Sequence, residues 1–190
     1  RANRFLAARV DAIATSLPGV FDRDPALASK ATLTGTPLRP AVLAAAAQPY
    51  ATPATDGPLR LLVVGGSQGA RIMADIVPSA IELLTDAERA RLTIVQQARA
   101  EDDERVRGTY ETLGVQATIA PFFKDLPAQM AAAQLVIARS GASTVAELTV
   151  IGRPALLVPL PGSLDQDQAA NAAFLEGVGG AIRILQPDFT

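Results

Sequence analysis

Hydrophobic residues recur along the chain at two spacings, which predict short strands alternating with helices from residue 59 onward. Residues 59–64 form a nearly continuous apolar run, as expected of a strand buried on both faces of a parallel sheet. After this strand, apolar residues three and four positions apart predict a helix. Pro78 lies within this pattern, so it should either kink the helix or mark an irregular start. Further strands are predicted at residues 92–95, 115–120, 135–138, 155–158 and 181–185. Further helices are predicted at residues 102–113, 126–133, 142–151 and 166–176.

This alternation is typical of a doubly wound parallel α/β sheet with right-handed crossovers. Such sheets bind ligands at the carboxyl ends of their strands. The loops that follow strands are therefore the candidate binding segments, and they cover residues 65–70, 121–125, 139–144 and 159–168.

The first 58 residues have a less regular pattern. Residues 4–17 place apolar side chains at helical spacing, and Pro18-Gly19 should end that helix. Residues 30–34 are expected to be extended, and residues 35–40 form a turn-rich connection. Residues 48–58 combine prolines with small polar residues, which favours a surface loop or linker.

Composition excludes several classes of protein. Of the 190 residues, 49% are hydrophobic and 19% charged, which argues for a folded core and against disorder. A net charge of −2 offers no electrostatic footprint for nucleic acid. There is no Cys, so disulfides and thiolate metal sites are excluded, and there is no His, the commonest general base. If the protein is an enzyme, its base is a carboxylate or lies outside this chain.

The ends of the chain and its hydropathy carry a further expectation. No apolar run reaches the roughly 18 to 20 residues that span a bilayer. The chain begins without Met and without a signal-peptide pattern, so we expect a fragment of a cytoplasmic protein.

The first motif is a glycine-rich turn, GGSQGA, at residues 65–70. Glycines let the backbone approach an anion, and the following helix offers free N–H groups, so the turn suits a diphosphate. It has neither the G-x-G-x-x-G spacing of a dinucleotide fingerprint nor the Gly-Lys-Ser/Thr of a P-loop. A tight strand-to-helix turn with no ligand explains the same residues equally well.

The second motif is RSGASTVAEL at residues 139–148, again between a strand and a helix. Ser143 or Thr144 can cap the helix, and Glu147 stands three residues after Thr144, which is the spacing of a capping box. Locally this structural role is favoured. Alternatively, Glu147 accepts hydrogen bonds from the two vicinal hydroxyls of a ribose, since a carboxylate is a pure acceptor.

The third motif is PLPGSLDQDQ at residues 159–168, followed by Asn171. Amide side chains both donate and accept, which suits sugar hydroxyls. Asp165 and Asp167 have a D-x-D spacing, but two acids without further ligands favour a solvated or capping role over a metal site. Near the third predicted strand, Phe122-Phe123 is suited to stack on a flat base, although we expect at least one of them to pack in the core.

Taken in this order, the three motifs resemble the MurG family of glycosyltransferases. The resemblance runs from about residue 3 to residue 185, and two further segments, GTPLR at 35–39 and GRPALLVP at 152–159, contribute to it. It implies a GT-B fold, in which two Rossmann-like α/β domains face each other across a cleft. By this resemblance, residues 1–24 are the end of the N-terminal domain and the interdomain segment. Residues 25–190 are the C-terminal UDP-sugar-binding domain without its final helices.

The resemblance also implies roles for individual residues. Arg39 and Ser67 contact the diphosphate. Gln68 follows Ser67 in the glycine turn and is also assigned to the donor. The backbone of Phe123 meets the uracil, and Glu147 binds the ribose diol. The helix start that faces the diphosphate and sugar is formed by Ala142, Ser143 and Thr144. Gln168 reads the sugar hydroxyls, and Asp167 stands beside it where the family usually has His or Gln.

The function implied is inverting transfer of N-acetylglucosamine from UDP-N-acetylglucosamine to a lipid-linked muramyl-peptide in peptidoglycan synthesis, the step from lipid I to lipid II. The resemblance implies no cofactor and no metal. It places the catalytic base in the missing N-terminal domain, so the fragment by itself should be inactive. A lipid-linked acceptor implies peripheral contact with the cytoplasmic face of the inner membrane.

Three other functions compete with this interpretation. One is a GT-B transferase with a different sugar or acceptor, and another is a non-catalytic module that binds nucleotide sugars. The third, an NAD-dependent oxidoreductase, is disfavoured because the dinucleotide fingerprint is absent. A comparison of UDP-N-acetylglucosamine and NAD binding distinguishes the oxidoreductase from the other functions. A transfer assay distinguishes an enzyme from a binding module.

Overall fold

A computed structural model of the chain describes residues 2–66, 69–163 and 167–190. Contacts divide the chain into two compact units, Arg1–Leu38 and Arg39–Thr190. The expected domain boundary between residues 24 and 25 concerns the longer protein and stays a prediction.

The first unit holds a two-stranded parallel sheet. Its elements are α1 (Ala2–Ala7), β1 (Ile13–Thr15), α2 (Pro25–Ala28) and β2 (Ala31–Leu33). The extended segment predicted at residues 30–34 is confirmed by β2. The helix predicted over residues 4–17 is wrong beyond Ala7, because β1 pairs with β2 and the Ile13 N–H donates to the Lys30 carbonyl at 2.8 Å. Local apolar spacing is therefore overridden here by pairing with a distant strand.

The second unit is the doubly wound sheet that the sequence predicts. Its elements are α3 (Pro40–Ala46), β3 (Leu59–Val64), α4 (Arg71–Glu82), α5 (Asp86–Arg89), β4 (Leu92–Gln97), α6 (Ala100–Thr112), β5 (Gln116–Ala120), α7 (Leu126–Ala132), β6 (Leu135–Ala138), α8 (Ala142–Ile151), β7 (Ala155–Leu157), α9 (Asp167–Gly177), β8 (Ala181–Arg183) and a 3₁₀ turn at Gln186–Asp188. The predicted strands and helices of this unit are confirmed with shifts at their ends. The short helices α3 and α5 and the 3₁₀ turn were not predicted from the sequence. Helix α4 runs on through Pro78, so the proline does not mark its start.

The sheet has the order β5-β4-β3-β6-β7-β8, and all of its pairings are parallel. The chain moves outward on one side of β3 and then returns to continue on the other side. This reversal is the topological switch point, where the carboxyl ends of neighbouring strands open a crevice. The described parts of the loops after β3 and β6, residues 65–66, 69–70 and 139–141, therefore lie at the centre of that edge.

The core lies between the central strands and helices α4 and α6. Val63 and Ile94 on the strands pack with Met73, Val106 and Tyr110 on the helices. Removing this apolar surface from water is the main stabilising contribution to the unit.

A buried amide ties this core together. The Tyr110 hydroxyl donates to Gln96 Oε1 at 2.5 Å, and Gln96 Nε2 donates to the Met73 carbonyl at 3.1 Å. Burial raises the pKa of the Tyr110 phenol. Across the described residues, no helix has both the length and the apolar character needed to cross a bilayer.

Candidate functional site

The glycine turn after β3 is imposed by backbone geometry. A Cβ on Gly65 would lie 2.0 Å from the Ala70 nitrogen, and Gly66 and Gly69 have φ values of +90° and +69°. Only glycine adopts these conformations without strain. Ser67 and Gln68, which the family resemblance assigns to the donor, lie outside the described residues.

The first turn of α8 presents free backbone N–H groups to the same edge. Gly141 is the N-cap residue, no side chain caps the helix, and Ala142, Ser143 and Thr144 are its first three residues. The capping box predicted for Thr144 and Glu147 is therefore wrong, because Thr144 is already inside the helix. Uncapped N–H groups and the positive end of the helix dipole together favour an anion.

Glu147 is buried one turn further along α8 and pairs with Arg39. The Arg39 Nη2 donates to Glu147 Oε1 at 2.9 Å, although 108 residues separate the two along the chain. Arg39 directly precedes α3, and its side chain is largely exposed. The structure thus gives Glu147 a tertiary partner, a charge-assisted contact of the kind that holds a carboxylate in one orientation.

A small cavity of about 150 Å³ opens beside this pair. Phe122 and Phe123 line it together with Gln97, Leu126 and Glu147. Phe122 is 64% exposed, and Phe123 is half-buried at the cavity wall. The expectation that one of these aromatic rings packs in the core is therefore wrong.

A larger cavity of about 700 Å³ lies on the other side of the first turn of α8. The two cavities share Gly66, Ser143 and Thr144. Arg71, Arg99 and Arg139 contribute to the larger one, and its described lining includes no carboxylate. Arg71 and Arg99 also pair with Asp75 and Glu101, which lie outside the lining and offset part of their charge. The guanidinium groups in the wall still favour an anion in this cavity.

Two of these arginines are held in place by backbone carbonyls. Arg139 is buried and donates to the Val158 and Pro159 carbonyls, both at 3.0 Å, and burial lowers its pKa. Arg99 Nη2 donates to the Gly69 carbonyl at 3.2 Å. Arg139 opens the second motif but was assigned no role from the sequence. Arg99 was not predicted because the loop after β4 was not among the candidate segments, although that loop also follows a strand.

The third motif is tied to the second through Gln168. Its side-chain oxygen accepts from the Leu160 N–H at 3.1 Å, and its carbonyl accepts from Ser140 Oγ at 2.8 Å. Gln168 lines the larger cavity, and its contact with sugar hydroxyls stays a prediction. Asp167 is exposed, and its carboxylate accepts from the Gln168 N–H at 2.8 Å. This places Asp167 at the start of α9 and outside the cavity wall.

Asp165, the first acid of the D-x-D pair, lies outside the described residues. Within residues 2–66, 69–163 and 167–190, no group of three or more acidic side chains is arranged to hold a metal ion.

One family model and several known proteins match this chain. Residues 60–190 match the family model of the glycosyltransferase family 28 C-terminal domain. Enzymes named UDP-N-acetylglucosamine--N-acetylmuramyl-(pentapeptide) pyrophosphoryl-undecaprenol N-acetylglucosamine transferase from Rhodopseudomonas palustris (strain BisB18) and Bradyrhizobium diazoefficiens are 67% and 68% identical to the chain. These matches cover 100% of the chain and 51% and 52% of the two relatives.

Among solved structures, Acinetobacter baumannii MurG matches with a TM-score of 0.76 and 30% identity, over 100% of this chain and 51% of that one. The glycotransferase of kitacinnamycin matches with a TM-score of 0.59 and 18% identity, over 93% and 43% of the two chains, which shows a shared fold. The chain spans about half the length of the curated relatives it matches. Since the family model covers most of the chain, the chain belongs to glycosyltransferase family 28 and contains the C-terminal domain of that family.

Proposed function

We propose that the protein is an inverting transferase that moves N-acetylglucosamine from UDP-N-acetylglucosamine to a lipid-linked muramyl-peptide, and that residues 39–190 bind the donor. The observation that carries this proposal is the order of features along the carboxyl edge of the sheet. The small aromatic cavity and Glu147 come first, the helix start and glycine turn follow, and the arginine-lined cavity with Gln168 comes last. A nucleobase, a ribose, a diphosphate and a sugar follow one another in the same order along the donor.

Each part of the donor has a chemically suited partner in this arrangement. The uracil lies at Phe123, and Glu147 accepts from the ribose hydroxyls. The diphosphate lies between the glycine turn, with Ser67 and Gln68, and the first turn of α8, where Arg39 is within reach of the same edge. These assignments rest on the family resemblance and on the lining of the two cavities.

The sugar lies in the larger cavity near Gln168. The oxygen of this amide already accepts from the Leu160 N–H, so its nitrogen is the group that donates to a sugar hydroxyl. Asp167 remains a candidate neighbour of the sugar from the start of α9.

The reaction is a single displacement with inversion. The acceptor hydroxyl attacks the anomeric carbon, the bond from that carbon to the diphosphate breaks, and UDP leaves with the electron pair. Helix N–H groups and guanidinium groups at the diphosphate stabilise the negative charge that develops there. The described lining of the larger cavity has no carboxylate or imidazole to take the hydroxyl proton, so we assign the base to another part of the protein.

The acceptor is handled elsewhere in the full enzyme. A lipid-linked acceptor requires peripheral contact with the cytoplasmic face of the membrane, and we assign that contact to the rest of the protein. The chain by itself then binds donor without transferring sugar.

Calorimetric titration with UDP-N-acetylglucosamine, UDP-glucose and NAD tests the donor assignment. We expect UDP-N-acetylglucosamine to bind most tightly, and we expect Glu147→Ala to weaken that binding. A polypeptide extended to the length of the relatives should transfer the sugar to a lipid-linked muramyl-peptide. Preference for UDP-glucose would point to a different transferase, donor binding without transfer by the extended protein would indicate a module, and binding of NAD alone would exclude a transferase.

A further inference from the structure

A buried amide at the end of β4 joins two loops of the site. The side-chain oxygen of Gln97 accepts from the Gly65 N–H at 3.0 Å, and its side-chain nitrogen donates to the Pro121 carbonyl at 3.0 Å. Gly65 opens the glycine turn after β3, and Pro121 opens the loop after β5 that carries Phe122 and Phe123. Because β4 lies between β3 and β5 in the sheet, Gln97 is placed to reach both loops at once.

The orientation of this amide is determined by its partners. A backbone N–H only donates and a carbonyl only accepts, so the oxygen of Gln97 must face Gly65 and its nitrogen must face Pro121. Gln97 is only 6% exposed, and in such surroundings an unpaired backbone group is costly. A displacement of either loop therefore strains the bond to the other.

We propose that Gln97 is a positioning residue that couples the nucleobase cavity to the glycine turn, so that a seated uracil holds the turn in the conformation that receives the diphosphate. This rests on the proposed function, because it takes UDP as the ligand of the site. Gln97 also lines the small cavity, which brings the amide next to the place where the base binds.

The neighbouring residue supplies a matched control. Gln96 is also a buried amide with two hydrogen bonds, but its partners are Tyr110 and the Met73 carbonyl in the core. Successive residues of a strand point to opposite faces, which explains why Gln96 contacts neither loop. Loss of Gln96 should lower stability without changing the site.

The test measures dissociation constants for uridine and UDP with the full-length enzyme and its Gln97→Leu, Gln97→Glu and Gln96→Leu variants. Gln97→Leu should weaken UDP binding by about tenfold and reduce the preference for UDP over uridine. The reason is that the substitution removes one or two net hydrogen bonds from the site. It should raise the KM for the donor more than it lowers kcat. Gln96→Leu should lower Tm and leave both constants within about twofold.

Gln97→Glu adds a pH readout that a purely structural role does not predict. A protonated carboxyl accepts at one oxygen and donates at the other, as the amide does, whereas a carboxylate facing the Pro121 carbonyl cannot donate. UDP affinity relative to the wild type should therefore be low at about pH 8 and recover as the buried carboxyl is protonated at lower pH.

Each result decides between coupling and its absence. Unchanged UDP affinity in Gln97→Leu, or equal effects of Gln97→Leu and Gln96→Leu, would overturn the coupling while leaving the proposed function standing. If Gln97→Leu does not fold, a flat pH profile for Gln97→Glu would overturn it instead. Failure of the wild type to bind UDP would overturn the proposed function and the coupling with it.

Discussion

Arg39 Nη2 lies 2.9 Å from Glu147 Oε1, so the two side chains expected at the diphosphate and at the ribose of the donor are paired with each other. The side chain of Glu147 is 9% exposed and that of Arg39 is 63% exposed. An ion pair with one largely solvated partner contributes little free energy. We therefore expect donor hydroxyls to replace Arg39 on Glu147 at small cost and leave the guanidinium for the diphosphate.

Replacing Glu147 should abolish recognition of the ribose. Wild-type protein should bind UDP-N-acetylglucosamine about tenfold or more tightly than its 2′-deoxy analogue, because a carboxylate bonded to a hydroxyl contributes more than a neutral acceptor. Glu147→Ala should bind the two ligands equally in calorimetric titration. Glu176→Ala, which removes a half-buried carboxylate that pairs with Arg183 and lines neither cavity, is the control. If Glu147→Ala still prefers UDP-N-acetylglucosamine over the 2′-deoxy analogue as strongly as the wild type does, Glu147 does not bind the ribose.

Replacing Arg39 separates its two possible roles. If the guanidinium contacts the diphosphate, Arg39→Ala should lower the affinity for UDP by about tenfold. The affinity for uridine should fall much less, since only UDP carries the anion. Equal losses for the two ligands would show instead that Arg39 acts only by holding Glu147. Arg107→Ala, which breaks an exposed pair with Asp103 on α6, should change neither constant.

A methyl group on Gly65 should disrupt the glycine turn. Its Cβ would lie 2.0 Å from the backbone nitrogen of Ala70, so the turn must shift. We expect Gly65→Ala to lose UDP binding and about 2 kcal/mol or more of unfolding free energy in urea titrations. Gly108→Ala is the matched control, because Gly108 lies inside α6 with open space around it and should gain about 0.5–1 kcal/mol. Wild-type UDP affinity in Gly65→Ala would contradict the close fit.

A carboxylate at Gln168 should weaken recognition of the sugar. Gln168→Glu still accepts from the Leu160 N–H but no longer donates, so the affinity ratio of UDP-N-acetylglucosamine to UDP should fall about three- to tenfold. At neutral pH the terminal phosphate of UDP carries up to one more negative charge than the diphosphate of the sugar nucleotide. Repulsion by the new carboxylate would therefore raise this ratio, so a fall reports the lost donor. Gln116→Glu, on the exposed start of β5, should leave the ratio unchanged. An unchanged ratio in Gln168→Glu would move the sugar contact elsewhere.

The buried phenol of Tyr110 should make stability fall at alkaline pH. Burial raises its folded-state pKa above the ordinary value near 10, so its contribution is intact below about pH 10 and is lost as pH rises further. Tyr110→Phe should lose about 1–3 kcal/mol of unfolding free energy at pH 8, because Gln96 loses its donor. Above pH 10 the unfolding free energy of this variant should decline less than that of the wild type. Urea unfolding between about pH 8 and 11 measures both effects.

Tyr50 is the other tyrosine of the chain, and its hydroxyl is exposed. It donates to the Gln134 carbonyl at 3.1 Å, so Tyr50→Phe removes a tyrosine hydroxyl outside the core and serves as the control. A Tyr110→Phe profile parallel to the wild type would show that the buried phenol does not titrate with unfolding.

The regular part of the fold was predictable because its signals are local. The apolar runs at β3 and β6 and the helix at α8 follow from periodicity, and Gly152 ends α8 in the left-handed conformation that glycine favours. One prediction failed because a distant strand pairs with the segment, and another failed because a helix begins earlier than its sequence spacing suggests. Residues 13–15 joined a strand ladder, and the spacing from Thr144 to Glu147 imitated a capping box in a helix that begins at Ala142.

Sequence by itself determined the alternation of strands and helices, the doubly wound class, and the glycines whose backbone conformations leave no other choice. These depend on side-chain periodicity and on local sterics, which neighbouring residues set. The pairing of Arg39 with Glu147 and the bridging of two loops by Gln97 were decided only by the tertiary structure. They join positions that the sheet order brings together across many residues, and no local pattern encodes that distance.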